Sequence, residues 1–162
     1  MGVVNYISYT AAFYKTLEYP MEAIDISYNG WEDIIKISMG QLLQSSGIAK
    51  SAPRKLIFSS NKYNGLNIKH PYYIQAITHI QTIMNSESVD VQTQKLLLTT
   101  WEESRWECGT FGHITACPLS IIEGITHTWI KSTLIFMIAH SIEIEESRMG
   151  TKLSGTFLTL NL

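Results

Sequence analysis

The stretch NGWEDIIKISMGQLLQSSG, residues 29–47, restricts the possible folds of the chain more than any other feature. Its apolar residues recur at intervals of three and four, which is the spacing of one face of an α-helix. These residues are Trp31, Ile34, Ile35, Met39, Leu42 and Leu43. Glu32 and Asp33 stand in the predicted first turn and Gly47 follows the predicted end. The pattern predicts an amphipathic helix packed on an apolar core.

Two more helices are predicted from similar patterns. The first runs from about Pro71 to Asn85, because proline suits the first position of a helix. Its predicted buried face consists of Tyr73, Ile77, Ile80, Ile83 and Met84. The second runs from Val89 to Trp106. Its predicted buried stripe consists of Leu96, Leu97 and Trp101.

A fourth helix is predicted from Thr128 to His140, where the chain is apolar nearly all round, as in a helix buried by its neighbours. No run approaches the roughly 18 uninterrupted apolar residues of a membrane span. The N-terminal residues carry no basic leader. We therefore expect an intracellular protein, cytoplasmic or nuclear, with no membrane partner.

Residues 54–68 differ from these helical patterns. Two short apolar runs, Leu56–Phe58 and Leu66–Ile68, flank a turn that contains Asn64-Gly65. The expected fold class is therefore mainly α, a small helical bundle with a short β-hairpin or extended loop near residues 54–68. We expect the four helices to pack together. The side chains expected in their core are Trp31, Leu42, Ile77, Ile80, Leu97, Trp101 and Phe136.

Charge is distributed unevenly along the chain. Between Ile34 and Ser86 there is no Asp or Glu, but there are six basic residues. They are Lys36, Lys50, Arg54, Lys55, Lys62 and Lys69. Aromatic residues are interleaved with them, and this combination is typical of a surface that binds a polyanion. The same pattern also fits a solvated face over core aromatics.

Cys108 and Cys117 are the only cysteines, which argues against a disulfide framework and favours a reducing compartment. With His113 and His127 they have the chemistry of metal ligands, but their spacing matches no usual zinc framework. Cys117, His113 and Ser120 could form a hydrolase site on paper, yet no nucleophile elbow surrounds them. We expect no metal ion and no cofactor, and keep a small hydrolase as a less favoured alternative.

Three segments occur in a characteristic order: GIAKSAPRKLIFSSNKYNGLNIKHPYYIQAITHIQTIM, TQKLLLTTWEESRWECGT and ITHTWIKS. This order resembles the region immediately downstream of the catalytic palm in reverse transcriptases of non-LTR-like mobile elements. The shared features are Pro-Arg, an apolar triplet, a turn, a His/Pro-Tyr pair, a helix containing Gln and a Glu-rich helix that ends in Gly. The resemblance covers about residues 30–140.

The chain departs from the family pattern in two ways. Asn64 and Asn67 stand where the family has glycines, but asparagine tolerates left-handed backbone angles, so the turn can form. The catalytic half is missing, because two-metal nucleotidyl transfer needs clustered carboxylates. The aspartates of the chain are Asp25, Asp33 and Asp90, with no adjacent pair. We expect the chain not to be an enzyme by itself.

The resemblance implies a thumb-like, post-catalytic segment that grips an RNA/DNA template-primer duplex or single-stranded nucleic acid. An upstream polymerase segment is a further candidate partner. The residues assigned to nucleic-acid binding are Lys50, Arg54, Lys55, Lys62, Tyr63, Gly65, Lys69, His70 and Tyr72. Leu66 and Ile68 are expected to point inward, and Lys62, Lys69 and His70 outward. Gly65 is expected to resist substitution if its φ is positive.

The resemblance also suggests a division of the chain. We expect an N-terminal segment, residues 1–29, packed on the bundle, a thumb-like helical domain, residues 30–146, and a C-terminal tail, residues 147–162. The alternative function is a helical protein-interaction or structural module that does not bind nucleic acid. Salt-dependent binding separates the two functions, because phosphate contacts release counterions.

Overall fold

The computed structural model describes residues 12, 14–45, 47–85, 90–110 and 112–144. These residues form a mainly α-helical protein, with no strand among them. The α-helices are α1 Tyr14–Met21, α2 Tyr28–Ser45, α3 Arg54–Phe58, α4 Pro71–Met84, α5 Val91–Glu107, α6 Leu119–Ile122 and α7 Thr128–Ala139. Short 3-10 helices occupy Asn61–Tyr63 and Ile114–Ala116. The predicted fold class is confirmed. The predicted tail, residues 147–162, lies outside the described residues.

The chain divides into two compact units, and the division falls within α4, between Gln75 and Ala76. The first unit has a core built from α2 and the segments that follow it. Its buried members are Met21, Trp31, Ile35, Met39, Leu42, Leu43, Ile57 and Ile68. Five of these lie on α2, so the helical periodicity predicted for this stretch is confirmed.

Helix α2 begins earlier than the sequence predicts. The Ser27 hydroxyl accepts a hydrogen bond from the Gly30 N–H at 3.2 Å, and the Ser27 carbonyl accepts one from Trp31 at 3.0 Å. Ser27 therefore caps the helix and places Glu32 beyond its first turn. At the other end, Gly47 has a φ of 73°. Its N–H donates to Gln44, while that of Ile48 donates to Leu43, which is a Schellman ending.

The predicted β-hairpin is wrong in its first half, because residues 54–58 form the helix α3. Pro53 supplies the reason. Its φ of −57° suits entry into a helix, and its carbonyl accepts the N–H groups of Leu56 and Ile57. Residues 65–70 form neither helix nor strand, and Asn67 among them has a left-handed φ of 52°, so this part of the stretch is a loop.

In the second unit α7 is the central helix. It packs against α5, α6 and the 3-10 helix Ile114–Ala116. Its buried residues are Ile130, Thr133, Leu134, Phe136 and Met137. From α4, the buried imidazole of His79 lies 4.4 Å from the Trp129 ring, and its Nδ1 is 3.2 Å from the Thr133 hydroxyl. The prediction that this apolar helix is buried by its neighbours is confirmed.

Several predicted core positions are wrong. On α4 the buried residues are Pro71, Gln75, Ala76, His79, Ile80 and Ile83. Ile77 is 49% exposed, and Tyr73 and Met84 are exposed as well. On α5, Leu96 is 70% exposed and Leu97 is half-buried. The buried stripe of α5 is Gln94, Trp101 and Ser104. The prediction for Trp101 is confirmed and that for Leu96 is wrong, since polar residues hold the other two buried positions, which an apolar pattern does not mark.

Candidate functional site

The turn that joins α3 to α4 is held by backbone hydrogen bonds and two left-handed asparagines. The N–H of Gly65 donates to the Ser60 carbonyl at 3.1 Å, and that of Asn67 donates to the Ser59 carbonyl at 2.8 Å. Asn64 has a φ of 56° and Asn67 a φ of 52°. The prediction that asparagine supplies the left-handed angles at these positions is confirmed.

Gly65 is required for a different reason than a positive φ, since its φ is not in the left-handed region. The residue is buried against the backbone of Ser59. A Cβ on Gly65 would overlap the carbonyl carbon and oxygen of Ser59. The condition of a positive φ is not met, and close backbone approach is what makes glycine necessary here.

Leu66 and Ile68 anchor the turn as predicted. Ile68 is buried in the core of the first unit, and Leu66 packs against that core half-buried. Lys62 and Lys69 stand on either side of these anchors with exposed side chains, also as predicted. The alternation places the apolar residues inward and the lysines in water.

His70 does not point outward, and this part of the prediction is wrong. Its side chain is buried, with 5% of the residue exposed. The ring stacks on Tyr28 at a centroid distance of 4.9 Å and an interplanar angle of 4°. Because Nδ1 accepts the N–H of Tyr72 at 3.2 Å, Nε2 carries the ring proton of the neutral imidazole. That Nε2–H donates to Oε1 of Glu32 at 2.9 Å.

His70 is also the residue that caps α4. Its carbonyl accepts the N–H groups of Tyr73 and Ile74, and its ring accepts the N–H of Tyr72. Pro71, next in the chain, has no N–H that needs a partner. His70 thus closes the start of α4 and joins it to α2 through Glu32. The contacts of its ring and carbonyl give His70 a structural role in this unit.

Arg54 has a carboxylate partner as well. Its guanidinium forms an ion pair with Oε2 of Glu32, the carboxylate that also binds His70. Glu32 stands two residues before the stretch that lacks acidic residues. The positive charge that the prediction assigned to nucleic-acid binding is present at Arg54. The structure shows that its charge is already partly compensated.

The two tyrosines assigned to nucleic acid lie in different environments. Tyr63 is 68% exposed, and the Lys62 ammonium lies 5.8 Å from the centroid of its ring. Tyr72 is half-buried and meets Tyr28 edge to face at 5.4 Å. Burial, and then the charge of Asp25, raise the pKa of Tyr72 above its usual range. Only Tyr63 presents a ring face suited to stacking on a base.

Three of the basic residues line an open cleft in the first unit. Lys50 and Lys55 are exposed, and Lys50 lines a cleft of about 500 Å³ with Lys36 and Arg54. Gln41 and Gln44 add amide groups to the same wall. The sequence analysis did not predict these glutamines as part of the site. The spacing of Lys36, Gly40 and Gln44, which lie four residues apart on one face of α2, would have indicated that Gln44 is on the same face as Lys36.

The cysteine and histidine residues do not form a metal site. Among the described residues, no group of three or more His, Cys, Asp or Glu side chains is placed to hold a metal ion. His127 contacts Glu103 at 3.1 Å. Cys108 and Cys117 are free thiols, of which Cys108 is buried and Cys117 is half-buried.

Comparison of the chain with protein families, curated proteins and solved structures finds no match. None of the described helices combines the length and apolarity that crossing a bilayer requires. The functional argument therefore depends on the residues themselves and on the arrangement of the basic segment, which we define as residues 36–69.

Proposed function

We propose that the basic segment binds the phosphate backbone of nucleic acid, as a non-catalytic element similar to the thumb region that follows a reverse transcriptase palm. The observation that carries this proposal is the exposure of Lys50, Lys55, Lys62 and Lys69 in a stretch with no acidic residue. Among the described residues, Lys36, Lys50 and Lys55 have no carboxylate partner.

The shape of the turn supports contact with a backbone more than with base edges. The side chains of Lys62 and Lys69 are long and flexible, and each ends in a compact positive charge. Such side chains are suited to contacts with phosphate oxygens. Tyr63 adds an exposed ring beside Lys62, which favours stacking on an unpaired base or a sugar. We therefore assign binding that is largely independent of sequence, with RNA/DNA duplex or single-stranded nucleic acid as ligand.

The lysines most directly involved can be tested by salt dependence. Changing Lys62 and Lys69 together to alanine should weaken binding to a primed RNA/DNA duplex, whatever its base sequence. The slope of log K against log salt should fall by about 0.9 for each duplex phosphate that a lysine no longer neutralises. The matched control is the double change Lys15→Ala and Lys95→Ala, which removes the same charge from exposed positions outside the basic segment.

The two double variants decide the proposal together. We expect the control to keep the salt slope of the unchanged protein, apart from a small effect of net charge. An equal reduction of the slope in both variants would mean that only total charge matters. An unchanged slope in the Lys62/Lys69 variant would remove the turn from the binding surface. Circular dichroism of each variant confirms that the helices remain.

The proposal assigns no nucleotide chemistry to the chain. Among the described residues, no group of three or more His, Cys, Asp or Glu side chains could hold a metal ion, whereas two-metal transfer requires clustered carboxylates. Purified protein is expected to incorporate no nucleotide on a primed RNA template with magnesium or manganese. Incorporation that survives further purification would contradict this assignment.

A protein-interaction module is the second candidate, and one observation favours it. Trp106 is 78% exposed and Leu96 70% exposed on α5 of the second unit. Tryptophan is among the residue types that are enriched at protein–protein interfaces. Two results together would favour this function instead. The unchanged protein would show no salt-dependent binding to nucleic acid, and the Lys62/Lys69 variant would bind a protein partner.

A further inference from the structure

The cleft of the first unit has the size of a small-molecule site. Its volume is about 500 Å³, within the range of about 300–1,000 Å³ that is typical of such sites. One wall belongs to α2, and the other to residues 50–54 and to Ile57 of α3. The lining residues of α2 whose side chains are exposed are Lys36, Ile37, Gln41 and Gln44.

The wall opposite α2 is a fixed part of the fold. The chain reverses at the end of α2, and the N–H of Ala52 then donates to the Ala49 carbonyl at 2.9 Å. Ile48 and Ala52 pack half-buried on the core of the first unit. Lys50 stands exposed on this anchored turn. Pre-formed walls of this kind are usual for sites that bind small molecules.

The cleft is positively charged. Lys36, Lys50 and Arg54 line it, and none of the described residues that line it is acidic. Arg54 is paired with Glu32 through Nη1. Lys36 and Lys50 have no carboxylate partner within the described part of the chain. We call these two residues the cleft lysines, and their charges are uncompensated.

This charge matches one form of phosphate better than another. A phosphate monoester carries a charge of about −1.5 to −2 at pH 7. Each phosphate within a nucleic-acid strand carries only a single negative charge. The pair of cleft lysines therefore suits a terminal phosphate, and the N–H groups of Arg54 that do not contact Glu32 can add hydrogen bonds to it.

The uncharged lining of the cleft suits a base. Met39, Leu43 and Ile57 are buried side chains that give it an apolar floor. The amide groups of Gln41 and Gln44 each offer donors and an acceptor, which can pair with the edge of a base. Proteins bind unpaired bases through this combination, with apolar groups at the faces and polar groups at the edge.

Gly40 is an independent indication that a ligand approaches α2. Packing does not require glycine here, because a Cβ would meet nothing within 4 Å. Glycine inside a helix lowers stability relative to alanine, and one common reason for it is close approach of the backbone to a ligand. Gly40 lines the cleft, and so does Ile37, which is 74% exposed and would be covered by a ligand at this wall.

We propose that the cleft binds a nucleotide through a terminal phosphate monoester, with the cleft lysines at the phosphate and an amide of α2 at the edge of the base. The nucleotide is a free nucleoside monophosphate or the phosphorylated end of a strand, which share this chemistry. The site goes beyond the backbone contact proposed for Lys62 and Lys69, since neither residue lines the cleft.

The ligand is tested with the full chain by isothermal titration calorimetry. Adenosine monophosphate should bind, whereas adenosine should bind at least about tenfold more weakly, because the charged hydrogen bonds are lost. Inorganic phosphate should also bind at least about tenfold more weakly, because it lacks the base. Equal affinity for adenosine monophosphate and either of these fragments would overturn the proposal. So would no binding at concentrations on the order of millimolar.

Variants locate the site. Lys36→Ala with Lys50→Ala should weaken binding of adenosine monophosphate at least about tenfold. The matched control is Lys62→Ala with Lys69→Ala, which removes the same charge outside the cleft and should keep the affinity within about twofold. An equal loss in both double variants would overturn the site, since only total charge would then matter.

A change of shape gives a test that leaves the charge untouched. Gly40→Leu places a side chain at the wall of the cleft and should weaken binding of adenosine monophosphate at least about tenfold, while circular dichroism shows the helices retained. Leucine favours a helix more than glycine does, so the variant should fold. Unchanged affinity in the folded variant would overturn the proposal.

Competition separates the two sources of the nucleotide. An oligonucleotide with a terminal phosphate and the same oligonucleotide with a terminal hydroxyl are compared as competitors of adenosine monophosphate. A preference of at least about tenfold for the phosphate identifies a strand end as the ligand, and no preference identifies the free nucleotide. Salt-dependent binding of a duplex without binding of adenosine monophosphate would overturn the cleft site and leave the function proposed above. The reverse result would leave the cleft site alone.

Discussion

Nε2 of His70 donates to Oε1 of Glu32 at 2.9 Å, although 38 residues of sequence separate them. The Arg54 guanidinium pairs with the other oxygen of the same carboxylate. One side chain on α2 therefore holds both the start of α3 and the start of α4. This arrangement fixes the two ends of the turn that carries Lys62 and Lys69.

Replacing His70 tests its structural role. His70→Ala removes the cap of α4 and the bond to Glu32, so we expect the free energy of unfolding to fall by about 2 kcal/mol. His70→Asn should lose less, because asparagine can cap a helix but is too short to replace the imidazole at Glu32. Urea denaturation gives both values. A folded His70→Asn protein should bind nucleic acid with the affinity of the unchanged protein. A large loss of affinity would indicate that His70 contacts the nucleic acid.

Gly65 should resist substitution by any side chain. In Gly65→Ala the new Cβ would overlap the backbone of Ser59, so the turn must shift, at a cost of about 2 kcal/mol. Gly40→Ala is the control, since a Cβ there meets nothing within 4 Å and α2 continues on both sides. That change should stabilise the protein by about 0.5–1 kcal/mol. Similar stabilities of the two variants would show that close approach to Ser59 is unimportant.

Gln75 is expected to be among the most sensitive polar residues. Its buried side-chain oxygen accepts from the Trp31 indole N–H at 2.8 Å and from the Ile26 N–H at 3.2 Å, and its amide donates to the Ile26 carbonyl. Gln75→Ala leaves these groups unsatisfied and should cost about 3 kcal/mol. Gln81→Ala, at an exposed position on the same helix, should stay within about 0.5 kcal/mol. Thermal or urea unfolding compares the two.

The cap of α5 should give the protein a dependence on acid pH. Hydrogen bonds from Thr93, and then from Gln92, lower the pKa of the Asp90 carboxyl below 3.8. Because the pKa of Asp90 is lower in the folded protein than in the unfolded chain, its carboxylate stabilises the folded protein above pH 3.8. This contribution is lost as the pH falls through the pKa of the folded state. Asp90→Ala should therefore lower the Tm near neutral pH, with the difference shrinking in acid. A difference independent of pH would mean that the carboxylate charge does not contribute.

Cys108 should show the opposite dependence at alkaline pH. Because the fold raises the pKa of its thiol from 9.0 to about 11, the protein gains stability that is fully present below pH 9 and lost as the pH rises towards 11. Cys108→Ser should lack this decline, which a comparison of unfolding at pH 8 and pH 11 can measure. At pH 8, iodoacetamide should modify Cys117 well before Cys108. Equal rates for the two thiols would contradict the raised pKa.

The sequence predicts local elements well where apolar residues mark the buried face. Helix α2 follows from the spacing of Trp31, Ile35 and Leu42, and α7 from its nearly continuous apolar run. On α5 the same reasoning finds Trp101 but not Gln94 and Ser104, which are buried while Leu96 is exposed. The burial of a polar residue depends on partners elsewhere in the chain, which a periodic pattern does not contain.

Only part of the candidate site could be predicted from the sequence, because the rest depends on contacts between distant residues. The exposed lysines and the left-handed asparagines follow from charge and from local backbone preferences. The burial of His70 and the pairing of Arg54 follow from Glu32, and these contacts cross 38 and 22 residues. No local pattern around residue 70 distinguishes an imidazole that faces solvent from one that is hydrogen-bonded to a distant carboxylate.

The bridge made by Gln75 determines how the basic segment can be isolated by deletion. The lysines lie within residues 36–69, but Gln75 binds Ile26, and Met21 is completely buried in the same core. A fragment cut at residue 30 would keep every lysine of the segment and lose both of these groups. Successive N-terminal truncations should therefore abolish binding before any lysine of the basic segment is removed. Such mapping would therefore find the boundary of the part of the chain that folds cooperatively. The residues that contact the ligand would span a shorter stretch than this boundary suggests.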